Sequence, residues 1–147
     1  MGPQVIKEYV DTGKVRWTFR NLAFLSQDSL NAAEATYCAQ DQDKFWPFHA
    51  KLYASQGSES AATFGKDQLK VIAKDLGFDA SAFNACLDSG KYAAQVNKDN
   101  TYASQQGVNS TPTFLINGKA TNLMTTDPAK TIQNFRNALD AALAAAK

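Results

Sequence analysis

The reactive side chains of this chain are few: the cysteines Cys38 and Cys86 and the single histidine His49. Thiol–disulfide exchange needs a second cysteine near the first, so that it can resolve the mixed disulfide. A metal site needs ligands at short, repeated spacing. Cys38 and Cys86 stand far apart with no third cysteine between or beside them, so they form neither a Cys-x-x-C pair nor a metal set. His49 has the chemistry of a general base. However, it falls one helical turn after Phe45 and one turn before Tyr53, and the sequence sets no cysteine or carboxylate beside it. Packing in an aromatic helix face is the stronger reading. Arg16 and Arg20 could hold an anion, but they alternate with apolar residues and read better as the polar face of a strand. Phe45, Trp46, Phe48 and Tyr53 read as a core wedge rather than a ligand box.

The bulk composition narrows the classes. The chain has 147 residues, 44% hydrophobic and 20% charged, with a formal net charge of +1. That length suits one domain with a real core. The cations are scattered, with no basic stripe for nucleic acid and no polybasic cluster for an anionic membrane. No apolar run reaches membrane-spanning length, and the N-terminus shows no signal-peptide pattern. No cofactor and no metal are expected.

The elements that must position these residues follow from periodicity and punctuation. Val5–Val10 reads as the tail of a helix stopped by Gly13. Val15, Trp17 and Phe19 alternate with polar neighbours, and the segment to Phe24 reads as a strand. Helical periodicity runs from Ser26 to about Gln40. A second helix, capped by Asp43, extends to about Ser55, with Pro47 in its first turn or so. Gln56–Phe64 is a small-residue loop. Leu69, Ile72, Ala73 and Leu76 share a helix face that ends at Gly77. Asp79 caps a short helix carrying Phe83, Cys86 and Leu87 and ending at Gly90. Tyr92, Val96 and Ala103 mark another, ending at Gly107. Thr113–Ile116 is a short strand, Asn117-Gly118 a two-residue hairpin turn, and Lys119 to about Met124 a weaker strand. Asp127-Pro128 supplies an N-cap and an N1 proline for a last helix striped by Ile132, Phe135, Leu139 and Leu143.

The stretch Gly107-Val108-Asn109-Ser110-Thr111-Pro112-Thr113-Phe114-Leu115-Ile116-Asn117-Gly118 resembles the cis-proline loop and following hairpin of DsbA-like proteins. These are bacterial thioredoxin-fold disulfide oxidoreductases with a helical insertion. Three further segments match the same family in the same order. They are Tyr9–Arg16, Cys38-Ala39 with Lys44-Phe45-Trp46 and His49, and Phe83 with Cys86-Leu87 and Ser89-Gly90-Lys91-Tyr92. The matches span roughly Val5 to Leu143.

The resemblance implies an α/β fold, a thioredoxin-like sheet with a helical subdomain inserted over about 26–107 of one domain. It implies that Thr111 and Pro112 hold the backbone of an extended substrate. The partners it implies are cysteine-containing proteins or extended peptides, in an extracytoplasmic or periplasmic compartment. Cys38 and Cys86 have two readings: unrelated buried thiols, or a structural disulfide, which the resemblance supports. The departure from the family lies in the missing Cys-x-x-C, together with the N-terminal strand and the start of the helix that would carry it. No catalytic residue is therefore carried over, and the chain is expected to be inactive in exchange as given. The competing expectation is a non-catalytic peptide-binding module. An incomplete sheet leaves strand edges open, so a homodimer or a rearranged sheet is also expected.

Overall fold

The computed structural model describes residues 3–56 and 64–146. Most of the loop assigned to Gln56–Phe64 and the first two residues therefore lie outside the described part. Seven α-helices and two strands form two compact units among the described residues. One takes its residues from Met1–Phe19 and Gln106–Lys147, the other from Arg20–Gln105.

The first unit holds α1 (Pro3–Val5), which continues as a π-helical stretch over Ile6–Val10, the hairpin β1 (Phe114–Ile116) and β2 (Lys119–Thr121), and α7 (Pro128–Ala145). β1 and β2 pair antiparallel, with Phe114 opposite Thr121 and Ile116 opposite Lys119. Asn117 and Gly118 make the turn with φ of 50° and 79°. That is the left-handed geometry a two-residue hairpin demands and the reason an Asn-Gly pair sits there. The Asp127 carboxylate accepts from the backbone N–H groups of Ala129 and Lys130, and Pro128 stands at the helix start. This caps two of the N–H groups that a helix end leaves open. Val5, Tyr9, Leu123, Phe135 and Leu139 form the buried core, and Val15, Phe114, Ile116 and Ile132 pack against it.

The second unit is helical: α2 (Gln27–Gln40), α3 (Phe45–Ala54), α4 (Lys66–Asp75), α5 (Ala80–Asp88) and α6 (Ala93–Gln105). Ser26 caps α2 through Ser29 N–H, and Asp79 caps α5 through Ala82 N–H. Its main core joins Phe48, Phe83, Leu69, Ile72 and Leu87, all nearly or wholly buried. Phe48, Phe78 and Phe83 meet pairwise with ring centroids 5.4–5.7 Å apart, a favourable aromatic range.

Four expectations are corrected. The segment from Val15 to Phe24 has no sheet ladder among the described residues. Its burial still alternates, with Val15, Trp17 and Phe19 half-buried and Arg16, Thr18 and Arg20 exposed. The period-2 pattern thus records which side chains face inward. A strand further requires a hydrogen-bonded neighbour, which local sequence does not encode. The second hairpin strand stops at Thr121 rather than near Met124, because β1 offers only three residues to pair with. Asp43 does not cap α3. It adopts φ 56° at the end of α2, and Lys44 N–H reaches back to the Ala39 carbonyl at 3.0 Å. That is the left-handed closure of a helix C-terminus, tolerated by Asp.

The aromatic wedge is also divided. Phe48 is fully buried, whereas Trp46 and Tyr53 are exposed. Phe45, Trp46, Tyr53 and His49 form a surface cluster, with His49 4.7 Å from the Tyr53 ring and 5.7 Å from those of Phe45 and Trp46.

Candidate functional site

α6 ends before Gly107, which takes φ 68°. The chain then turns through Asn109, Ser110, Thr111 and Pro112, all exposed, before entering β1. The Thr111–Pro112 peptide is cis. Thr113 fixes the loop from its far side, its hydroxyl donating to the Ser110 carbonyl at 2.6 Å. Thr111 and Pro112 therefore present themselves outward at the mouth of β1.

What holds β1 in place is aromatic. The Phe114 ring meets Phe135 of α7 edge-to-face at 4.8 Å and Trp17 at 6.1 Å. Leu123 is buried in the same core, and Asn134 donates to its carbonyl at 3.2 Å. Among the described residues the sheet has two strands, so β1 pairs with β2 on one side and with no strand on the other. That edge continues directly from Pro112. An open edge offers backbone donors and acceptors to a further extended segment.

Two polar ties fasten α7 to the helical N-terminal segment of the same unit. Tyr9 donates to Asp140 at 2.8 Å, and Arg136 makes a two-pronged contact with Glu8 at 2.8 and 2.6 Å. Burial, and then the Asp140 carboxylate, push the Tyr9 hydroxyl up to about 12. The Arg136 guanidinium holds the Glu8 carboxyl below its ordinary value.

The remaining candidates, Arg16 excepted, lie in the helical unit. Cys38 of α2 and Cys86 of α5 are bonded to each other, with Cα atoms 5.9 Å apart. His49 is half-buried among its aromatic neighbours, and burial lowers its pKa. Arg20 donates to Asp99 at 3.2 Å and lies over the Tyr102 ring at 4.4 Å, so its charge is engaged within the protein. Arg16 is exposed.

The sequence reading passed over two carboxylates. Asp99 is 1% exposed and accepts from Arg20, Tyr37 and Gln95. Burial and the Asp99 contact push Tyr37 up to about 12. The signal was present: Asp99 falls on the same α6 face as Val96 and Ala103, and a carboxylate on an apolar face asks for a partner. Asp41 is the other. It follows α2 and accepts from Lys91 at 2.7 Å and from the Tyr92 hydroxyl. Among the described residues no cluster of three metal-ligating side chains occurs, and no helix is long and apolar enough to cross a membrane.

Comparison with known proteins agrees with this geometry. A family model described as thioredoxin matches residues 1–141. The "Probable disulfide bond formation protein D" of Bacillus anthracis is 35% identical over 125 residues, covering 82% of this chain and 57% of that protein. The "Disulfide bond formation protein D" of Bacillus subtilis is 30% identical over 120 residues, covering 80% of this chain and 54% of that protein. The chain thus spans little more than half the length of these relatives. The crystal structure of oxidized Mtb DsbA superposes with a TM-score of 0.60 at 29% identity, over 86% of this chain and 70% of that one. The reduced DsbA from Mycobacterium tuberculosis gives a TM-score of 0.56 at 28% identity. The chain belongs to the thioredoxin family, in its DsbA-like group of disulfide oxidoreductases.

Proposed function

We propose that this chain carries the substrate-docking face of a DsbA-like thiol–disulfide oxidoreductase, centred on Thr111 and Pro112. The observation that carries the reading is the exposed loop opening straight onto the unpaired edge of β1. An extended polypeptide laid along that edge gains main-chain hydrogen bonds without regard to its side chains. Such tolerance suits an enzyme that must accept many cysteine-containing proteins. The exchange step itself needs a thiolate and a resolving cysteine. These 147 residues contain no Cys-x-x-C, and their two cysteines are bonded to each other. The chain as given therefore binds without turning over. An extracytoplasmic, oxidising compartment of a bacterium accords with a standing disulfide.

Two assays test this. In insulin reduction the chain should stay at background. In a fluorescence titration with S-carboxamidomethylated insulin B chain, Trp17 should report binding through its contact with Phe114. Turnover above background, or no binding, would overturn the reading.

A second reading, a peptide-binding module with no redox role, is favoured by the same tied-up cysteines. The intact mass and cysteine count of the protein from its natural source separate the two. Two further cysteines support the oxidoreductase; a mass matching these residues supports the module. The open edge of β1 also supports pairing with a second copy, which light scattering would detect as a dimer.

A further inference from the structure

The Cys38–Cys86 bond lies close beneath the surface, with Cys38 2% and Cys86 9% exposed. Both cysteines line a surface cavity of about 370 Å³, together with Asp41, Gln42, Ser89 and Lys91. Cys86 is the more exposed of the two and the point of approach for a small thiol. The charge around the sulfurs is set against it. Cys38 lies in the last turn of α2 and Cys86 in the last turn of α5, where the helix dipole presents its negative end. This is the reverse of the helix N-terminus that activates a nucleophilic cysteine. The Asp41 carboxylate adds a full charge, with Oδ2 3.9 Å from Cys86 Sγ. The ammonium of Lys91, 2.7 Å from the same oxygen, offsets part of that charge.

We propose that Asp41 guards the Cys38–Cys86 bond electrostatically, slowing its reduction by anionic thiols. In the reaction a thiolate attacks one cysteine sulfur, the S–S bond breaks, and the other cysteine leaves as a thiolate that takes a proton from water. A second thiolate then attacks the mixed disulfide. It releases the remaining cysteine and forms the small-molecule disulfide, so two thiols are oxidised and the protein bond is reduced. Attack at Cys86 brings negative charge to a sulfur 3.9 Å from Asp41 Oδ2, and the departing Cys38 thiolate develops charge one bond further on. Repulsion from Asp41 therefore raises the barrier, and Lys91 lowers it.

The test is the second-order rate of reduction of the 147-residue chain by glutathione and by cysteamine, followed by acid quench, alkylation and intact mass. Asp41→Asn should speed reduction by glutathione about fivefold, the size of one solvent-screened charge interaction at this distance. The gain with cysteamine, which carries its own cation, should be smaller. Lys91→Met should slow reduction by glutathione. These opposite signs distinguish charge from loosened packing, which would accelerate both variants with both thiols. Acceleration of that common kind, or an Asp41→Asn rate equal to that of the parent chain, would overturn the proposal. Should Asp41→Asn fail to fold, Lys91→Met decides alone: slower reduction supports the guard, and an unchanged or faster rate contradicts it.

Discussion

Phe114 of β1 and Phe135 of α7 meet edge-to-face, with ring centroids 4.8 Å apart and planes at 86°. The contact ties the strand that follows Pro112 to the longest helix of the unit, so the geometry of the proposed docking edge depends on it. Phe135 is 3% exposed. Phe135→Ala should cost about 3–5 kcal/mol, through lost burial and the cavity left behind. Thermal or urea denaturation measures the loss, and altered Trp17 emission in the folded variant would show that β1 has shifted.

Asp99 is the buried acceptor at which three side chains of the helical unit meet. Asp99→Ala removes the acceptor shared by Arg20, Tyr37 and Gln95 and should cost about 2 kcal/mol, mostly from the lost Tyr37 contact. Arg20 is half-exposed and recovers water, so Arg20→Met should cost less than half as much. Equal costs, measured by denaturant titration, would mean that the ion pair rather than the tyrosine contact governs this site.

The tyrosines set an alkaline limit. Tyr9 and Tyr37 are both raised to about 12. A folded value above the unfolded one contributes stability that is complete below about 10 and is lost as pH rises through the folded value. Stability should therefore fall between pH 10 and 12, with these two rings ionising last. Ring-labelled NMR would show half-ionisation near 10 if burial did not protect them. On the acid side, Glu8 lies below its ordinary value because of Arg136. Its contribution is present above about 4.5 and disappears as pH falls through the lower folded value, so Glu8→Gln should flatten that part of the acid profile.

The Cys38–Cys86 bond closes a loop whose loss should be felt throughout the helical unit. The double variant Cys38→Ala/Cys86→Ala should be less stable by about 4 kcal/mol on the chain-entropy account. Alkylation of the denatured, unreduced parent chain should add no mass. Two alkyl groups would show that the bond does not form in solution.

What could be read from sequence was what local chemistry determines. Asp127-Pro128 opens α7, Asn117-Gly118 turns the hairpin, and Asp79 caps α5, because each signal is complete within a few residues. The segment Val15–Phe24 could not be read in this way: its alternation shows which side chains turn inward, but a strand exists only with a neighbour. Asp43 carries a cap residue's side chain, yet the closure of α2 onto the Ala39 carbonyl claimed it first. Asp99 and Asp41 were overlooked because their partners lie far off in sequence, Arg20 and Tyr37 for one and Lys91 and Tyr92 for the other. The Thr111-Pro112 motif is legible in the sequence, whereas the packing of Phe114 behind it against Phe135 and Trp17 emerges only from the fold.

The docking proposed at Pro112 depends on the loop's own surface. Pro112→Ala removes the ring from the exposed mouth of β1 and should weaken binding of S-carboxamidomethylated insulin B chain about tenfold, ~1.4 kcal/mol. Lys51→Ala, on an exposed side chain of α3 in the helical unit, should leave the affinity within twofold of the parent value, ~0.4 kcal/mol.

The most direct test of the docking face is an amide chemical-shift titration of the isotopically labelled chain with that peptide. The account predicts that the largest shifts fall on Ser110–Ile116, along the loop and the open edge of β1, and that they vanish in parallel with affinity in Pro112→Ala. Shifts confined to the helical unit, or none at saturating peptide, would contradict it.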